Sequence, residues 1–209
     1  MSKLRLTGST SGFTELTAPA VAGSNTLTLP TGNGTAGQFL QTNGSGALSF
    51  AGAGKILQVV SATKTDSFSS SAAAFTDITG MSATLTPSSS SNKVLIIVSL
   101  IVSGDTWESG GVLINLVRDS TNLAQGTSGS THNSSFGYNS WSNGQSNTQG
   151  NYASIAFNFL DSPGVATSTT YKLQGRNQGS PTYGFMVNRM FVGDALGFSS
   201  TITLLEVAA

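Results

Sequence analysis

The chain has 209 residues, which is enough for one domain of ordinary size or for one domain with an appendage. Only 9% of the residues are charged, and nine basic residues balance nine acidic ones, whereas a typical soluble domain is about 25% charged. This balance excludes the basic surface with which nucleic-acid-binding proteins hold phosphates. The composition also excludes a coiled coil or a helical bundle. Because there is no cysteine, disulfides, thiolate metal sites and thiol nucleophiles are excluded as well.

Membrane and export segments are not expected either. The longest apolar run, residues 94–102, is about half as long as a membrane-spanning helix requires. The first nine residues carry positive charge, but no apolar region follows them, so they do not form a signal peptide. We therefore expect a protein that is made in a cytoplasm and used from there.

Residues 1–54 are rich in Thr, Gly, Ser and Ala, and their apolar residues stand far apart. Alternation at 26–29 (TLTL) predicts a short strand, and 43–46 (NGSG) predicts a hairpin turn between 39–41 and 48–50. So few large side chains cannot bury a core, which leaves this segment either disordered or ordered by another surface. The strand-like spacing of its Leu and Phe residues favours the second alternative. We predict an extended N-terminal segment, 1–54, that ends at a hinge at 52–54.

Residues 55–209 predict an all-β body domain. Turn signals rich in Gly, Ser, Asn and Pro separate the predicted strands, and no helical period is convincing. An antiparallel β-sandwich of the jelly-roll kind fits this pattern. The predicted strands are 55–61, 75–78, 81–86, 93–103, 112–118, 122–125, 152–160, 170–176, 185–188 and 200–207.

Several of these strands are apolar on both faces, above all 93–102. A solitary antiparallel sandwich alternates apolar residues inward with polar residues outward. Because the chain has few charges to keep an outer face wet, burial against another copy is the natural interpretation. We predict an obligate oligomer.

Residues that could support catalysis are few. The single histidine, His132, lies in a polar stretch without a nucleophile elbow, so we interpret it as a loop residue. Asp105 and Glu108 flank Trp107 and form the only acidic pair near an aromatic residue, which we interpret as a polar loop. There is no phosphate-binding loop, dinucleotide-binding motif or calcium loop. We predict no enzyme activity, no cofactor and no metal site.

Residues 126–151 form a long segment of Gly, Ser, Asn and Gln with interspersed aromatic residues, predicted to be a loop. Loops of this length in a sandwich are uncommon and often functional. Aromatic rings beside small polar residues are typical of recognition loops and also suit sugars. Two interpretations stay open, namely receptor binding and simple attachment of the loop to the sandwich. The candidate binding residues are Tyr138, Asn139, Trp141 and Asn143.

An ordered set of short phrases resembles tail fibre proteins of tailed phages, of a type common in phages of marine bacteria and cyanobacteria. In the N-terminal segment the phrases are 8–13 (GSTSGF), 16–23 (LTAPAVAG), 26–30 (TLTLP) and 37–50 (GQFLQTNGSGALSF). In the body they are 56–60 (ILQVV), 75–81 (FTDITGM), 118–121 (RDST), 159–163 (FLDSP), 169–172 (TTYK) and 201–209 (TITLLEVAA).

The resemblance implies a virion protein, usually a homotrimer, whose N-terminal segment attaches to another virion protein. The residues expected to make this attachment are Leu16, Leu27, Leu29, Phe39 and Leu40. The body would point outward and bind a glycan or protein on the host surface, with no nucleic-acid or membrane partner. A head fibre or capsid decoration protein of the same build is the alternative. An enzyme that degrades surface polysaccharide is the third and least favoured.

Overall fold

A computed structural model describes residues 3–21, 23–52, 54–104, 110–127, 133–140, 152–178, 184–189 and 197–209, with the backbone alone at 3, 110 and 138–140. Contacts divide the chain into two compact units, residues 1–54 and 55–209. In the described residues no helix is long and apolar enough to cross a membrane.

The first unit consists of two separate antiparallel hairpins. Strand β1 (Lys3–Thr7) pairs with β2 (Phe13–Thr17), and β3 (Gln38–Thr42) pairs with β4 (Leu48–Gly52). The turn predicted at 43–46 is confirmed, because Asn43 N donates to Ala47 O at 3.1 Å and Gly44 and Gly46 have positive φ. The strand predicted at 26–29 is wrong. Of these four residues only Thr28 forms a bridge, to Ala47, and its backbone hydrogen bonds go to Gly46 and Leu48 at the start of β4.

The second unit is all β, as predicted. Its strands are β5 (Ile56–Lys64), β6 (Phe68–Ser70), β7 (Thr76–Leu85), β8 (Lys93–Gly104), β9 (Gly110–Arg118), β10 (Thr121–Leu123), β11 (Phe136–Ser140), β12 (Tyr152–Asp161), β13 (Thr169–Asn177), β14 (Phe185–Val187) and β15 (Ser200–Val207).

Eight of these strands form the two sheets of a jelly roll. The larger sheet has the order β5-β15-β8-β12, with the short strands β14 and β6 beyond the end of β15. The smaller sheet has the order β7-β13-β9-β11, with β10 also paired to β9. Numbered along the chain, the eight strands pair as 1-8-3-6 and 2-7-4-5, which is the jelly-roll connectivity.

The core lies between the two sheets and is built from the inward residues of alternating strands. Every second residue of β8, from Val94 to Val102, is completely buried. At one place the packing requires a glycine: a Cβ at Gly175 would lie 2.5 Å from the ring of Phe185, which is buried. At one edge, the rings of Phe136 and Phe157 stack 4.5 Å apart and connect the sheets.

Two separate strands were predicted at 75–78 and 81–86, and this prediction is wrong. The structure has one strand, β7, that continues through Gly80 with φ of 85°. Opposite it, the register with β13 shifts between Lys172 and Gln174, so the glycine forms a bulge rather than a turn. Glycine is common both in bulges and in turns, so the sequence alone does not distinguish them, and the pairing with the partner strand does.

Candidate functional site

A polar cluster joins the two sheets at one end of the sandwich. Arg118 at the end of β9 donates through Nη1 to both carboxylate oxygens of Asp161, at 2.9 and 2.7 Å. Asp161 ends β12 in the other sheet and also accepts a 2.7 Å hydrogen bond from the hydroxyl of Tyr171 in β13. The carboxylate is 7% exposed and the guanidinium side chain 22% exposed. A single acidic side chain therefore links three strands of two sheets.

The turn that follows Arg118 is held against the same strand. Asp119 has φ of 53°, a conformation that aspartate tolerates better than most residues. Its backbone N–H donates to Thr170 O at 2.8 Å, and its carboxylate accepts from Thr170 N at 2.9 Å. Three of the phrases behind the phage resemblance, 118–121, 159–163 and 169–172, thus meet at one place.

The charge states of this cluster favour a structural role. Burial and the hydrogen bond to Asp161 raise the pKa of Tyr171. Burial lowers the pKa of Arg118, but the ion pair with Asp161 outweighs it and the net shift is upward. Tyr171 therefore stays a donor and Arg118 stays a cation, and both are directed at one carboxylate. This arrangement ties the sheets together and positions the turns at their end.

A second buried carboxylate holds the 86–92 turn. Glu206 in β15 is 2% exposed and accepts hydrogen bonds from Ser88 N at 2.6 Å, Ser88 Oγ at 2.7 Å and Asn92 Nδ2 at 2.7 Å. Burial raises the pKa of Glu206, but the hydrogen bonds from Ser88 and Asn92 lower it by more, so the net shift is downward. The ionised form is therefore the one that the fold stabilises.

The Glu206 contacts predict acid sensitivity. A carboxyl whose pKa is lowered on folding contributes stability above its ordinary pKa, 4.5 here, and loses it as the pH falls through the lower folded value. We expect Glu206→Gln to lower the free energy of unfolding by roughly 2 kcal/mol at pH 7, and the difference from the parent to shrink towards pH 3. Urea unfolding at both pH values measures this. The pKa values of Asp66 and Asp77 are also lowered, so the variant keeps part of the slope.

The loop predicted at 126–151 contains a strand, which corrects that prediction. In β11, Phe136 pairs with Ile114, and Ser135 Oγ donates to Leu123 O at 2.6 Å and accepts from Leu116 N at 2.9 Å. A Cβ at Gly137 would lie 2.8 Å from Val112 O, so the close pairing requires a glycine there. The alternation of Phe136 and Tyr138 with Gly137 and Asn139 was the signal for this strand. It was missed because the neighbouring residues are nearly all polar.

The candidate receptor-binding residues divide between described and undescribed parts of the chain. The backbones of Tyr138 and Asn139 lie in β11, opposite Val112 and Gly111. Trp141 and Asn143 lie outside the described residues. So do three residues from the search for catalytic groups, namely Asp105, Glu108 and His132. Among the described residues no group of three or more His, Asp or Glu side chains could hold a metal ion.

The residues predicted to attach the first unit to a partner are solvent-exposed. Leu16 lies in β2, Phe39 and Leu40 lie in β3, and Leu27 and Leu29 flank the isolated bridge at Thr28. Their exposed fractions run from 48% to 70%. Leu16 therefore lies on the first hairpin, Phe39 and Leu40 lie on the second, and Leu27 and Leu29 lie in the segment between them.

Sequence reasoning missed an apolar surface on the β1–β2 hairpin. Leu4 pairs directly with Leu16, and Leu6 lies on the same face; both are more than half exposed. On the opposite face, Arg5 forms an ion pair with Glu15 at 3.5 Å and lies 3.6 Å from the centre of the Phe13 ring. The alternation of polar and apolar residues from Lys3 to Thr7 was the signal for this two-faced hairpin.

Comparisons with known proteins add little. No family model matches the chain, and a search of curated proteins finds no match. Among solved structures, a chain of infectious bursal disease virus Gx strain matches with 14% identity and a TM-score of 0.33, over 77% of this chain and 44% of that one. A chain of the Gt strain matches with 14% identity and a TM-score of 0.35, over 98% and 46%. This chain spans less than half of those chains, and at such TM-scores the matches carry no argument.

Proposed function

We propose that this chain is a structural protein of a phage particle, a tail fibre or similar appendage. Residues 1–54 attach it to another virion protein, and residues 55–209 form a homotrimeric body that binds a glycan or protein on the host surface. The observation that carries the proposal is the contrast between the units. The body buries most of its large apolar side chains in one core, whereas the first unit leaves most of its own exposed to solvent.

This contrast suits an attachment segment for an energetic reason. Ordering a residue costs roughly 1–2 kcal/mol for the backbone alone. A large apolar side chain returns about 1.5–3 kcal/mol only when it is fully buried. The first unit therefore gains most of its stability when a partner covers its apolar residues. A virion protein that accepts added strands supplies both apolar burial and backbone pairing.

The resemblance to phage fibres gains support from the Arg118–Asp161–Tyr171 cluster. Three phrases that are far apart in the sequence supply its charged and hydroxyl groups and the turn beside it. Their joint presence is explained by one structural unit rather than by low-complexity sequence.

Host recognition is proposed for the region 126–151. We expect Trp141→Ala and Tyr138→Ala to abolish adsorption of the particle to its host and to leave the melting temperature nearly unchanged. Aromatic side chains supply rigid contact area beside adaptable polar groups, so their removal eliminates a binding hot spot. Adsorption counts and thermal melts of both variants measure this. A large fall in melting temperature for both would mean that the rings only attach the segment to the sandwich.

The alternative is a head fibre or capsid decoration protein, because the first unit could attach equally well to a capsid surface. Imaging of particles labelled with an antibody against residues 55–209 separates the two. Label at the tail is the expected result, and label over the capsid would overturn the tail-fibre proposal. Release of reducing sugar from host envelope by the purified protein would instead indicate an enzyme.

A further inference from the structure

The outer face of the larger sheet carries a continuous apolar row. Val59 on β5 lies opposite Leu205 on β15, Leu205 lies opposite Leu95 on β8, and Leu95 lies opposite Leu160 on β12. Residues opposite one another in antiparallel strands point to the same face. The row therefore crosses all four strands of the sheet. Ile97, next along β8, lies beside it and is 44% exposed.

The charges of these four strands are placed in the reverse of the usual pattern. Lys64, Asp161 and Glu206 point inward, where each is buried and has a polar partner. At the outward positions, only Lys93 at the end of β8 is charged. The other exposed or half-buried outward positions are apolar, Tyr, Ser, Thr or Asn: 57, 59, 61 and 63 on β5; 95, 97, 99 and 101 on β8; 152, 154, 156, 158 and 160 on β12; and 201, 203, 205 and 207 on β15.

A face of this kind is complementary to the same face of a second copy. Outer faces of sandwiches normally carry the charges that keep them in water, and burying an unpaired charge is costly. Two copies of this face can approach without burying a charge in its centre, because Lys93, the one charged residue among the outward positions of these four strands, lies at the end of β8. A charged glycan or protein surface would bring charges that the apolar centre of this face could not neutralise, since Lys93 lies only at its edge.

The face is also large enough for a stable contact. Four strands about 4.8 Å apart and ten residues at about 3.3 Å each cover roughly 20 by 30 Å, or about 600 Å² in projection. The accessible area of a corrugated surface exceeds its projection. A standard interface buries about 800 Å² on each partner, so this face alone supplies an area of the required size.

We propose that the outer face of the β5-β15-β8-β12 sheet is the interface through which the body binds further copies of this chain. The inference rests on the homotrimer of the proposed function and names its contact surface. Three such faces directed at a threefold axis would enclose the four-strand apolar row in a shared core. The receptor-binding region is then left to other parts of the body.

The absence of cysteine allows a direct test in the full-length protein. Ile97→Cys places one thiol in the centre of the face. Ser82→Cys is the matched control, because Ser82 is exposed on β7 of the other sheet. For each variant, the rate of maleimide labelling of the folded protein is compared with the rate in denaturant. We expect Ile97→Cys to be slowed about a hundredfold or more, as a group sealed in a dry interface would be, and Ser82→Cys to be slowed little.

Mass photometry and sedimentation measure the oligomeric state of the same proteins. Ile97→Glu and Ser82→Glu serve as a second matched pair. We expect folded monomers for Ile97→Glu and the parent assembly for Ser82→Glu. Rapid labelling of Ile97→Cys within an assembled protein would overturn the interface and leave the trimer standing. Protection in a monomer would mean that the same chain covers the face, and would overturn the proposal. A protected dimer would support the interface and overturn the trimer.

Discussion

Asp161→Ala is expected to lower the free energy of unfolding by about 3 kcal/mol, the lower end of what breaking a buried ion pair costs. The substitution leaves the guanidinium of Arg118 and the hydroxyl of Tyr171 without the carboxylate that both contact. The lower end applies because Arg118 is 22% exposed and can regain contact with water. Guanidinium unfolding followed by circular dichroism, at one protein concentration, measures the change.

A matched control exists on the surface of the smaller sheet. Asp77 forms an ion pair with Lys172 at 2.8 Å, but its side chain is 56% exposed. Asp77→Ala should therefore cost less than about 1 kcal/mol. Tyr171→Phe removes a single hydrogen bond and should cost about 1 kcal/mol. Equal losses for Asp161→Ala and Asp77→Ala would contradict the view that the buried cluster ties the sheets together.

Deletion of residues 1–54 is expected to leave a soluble, folded body that is absent from assembled particles. The buried core lies wholly in residues 60–204, so the deletion removes none of its side chains. The lost residues include the exposed leucines and phenylalanines through which attachment is proposed. Thermal melting of the truncated protein and its quantity in purified particles are the two measurements. An insoluble body would show that the first unit belongs to the core.

Point variants refine the attachment test without removing the backbone. We expect Leu4→Ser combined with Leu16→Ser to reduce incorporation into particles strongly, because the pair forms the apolar face of the first hairpin. The control is Val165→Ser, which alters an apolar residue of the body that is 40% exposed. Equal incorporation of both variants would exclude this hairpin face as the attachment surface and direct attention to Leu27 and Leu29.

Elements whose signal lies within a few neighbouring residues were predictable. The NGSG turn at 43–46 forms as expected, since Asn and Gly adopt the positive φ that it requires. Strand β8 runs from Lys93 to Gly104, against a prediction of 93–103, because an apolar run of that length without a helical period fits a buried strand. The all-β class follows from many such short segments.

Elements whose signal depends on a distant partner were not predictable. Gly80 could mark a turn or a bulge, and only β13 beside it makes it a bulge. Phe136 was interpreted as part of a loop, although its ring stacks on Phe157, which lies in the other sheet. The meeting of Arg118, Asp161 and Tyr171 follows from the order of strands in two sheets, which no local pattern encodes.

The sequence by itself determined the all-β class, the exclusion of thiol chemistry and most strand positions, because composition and the two-residue period of strands are local properties. Only the tertiary structure decided which faces are inside. Lys64, Asp161 and Glu206 are buried and partnered, while Val59, Ile97 and Leu160 are exposed. A strand that is apolar on both faces does not specify which face is buried, and that choice depends on the pairing of strands far apart in the chain.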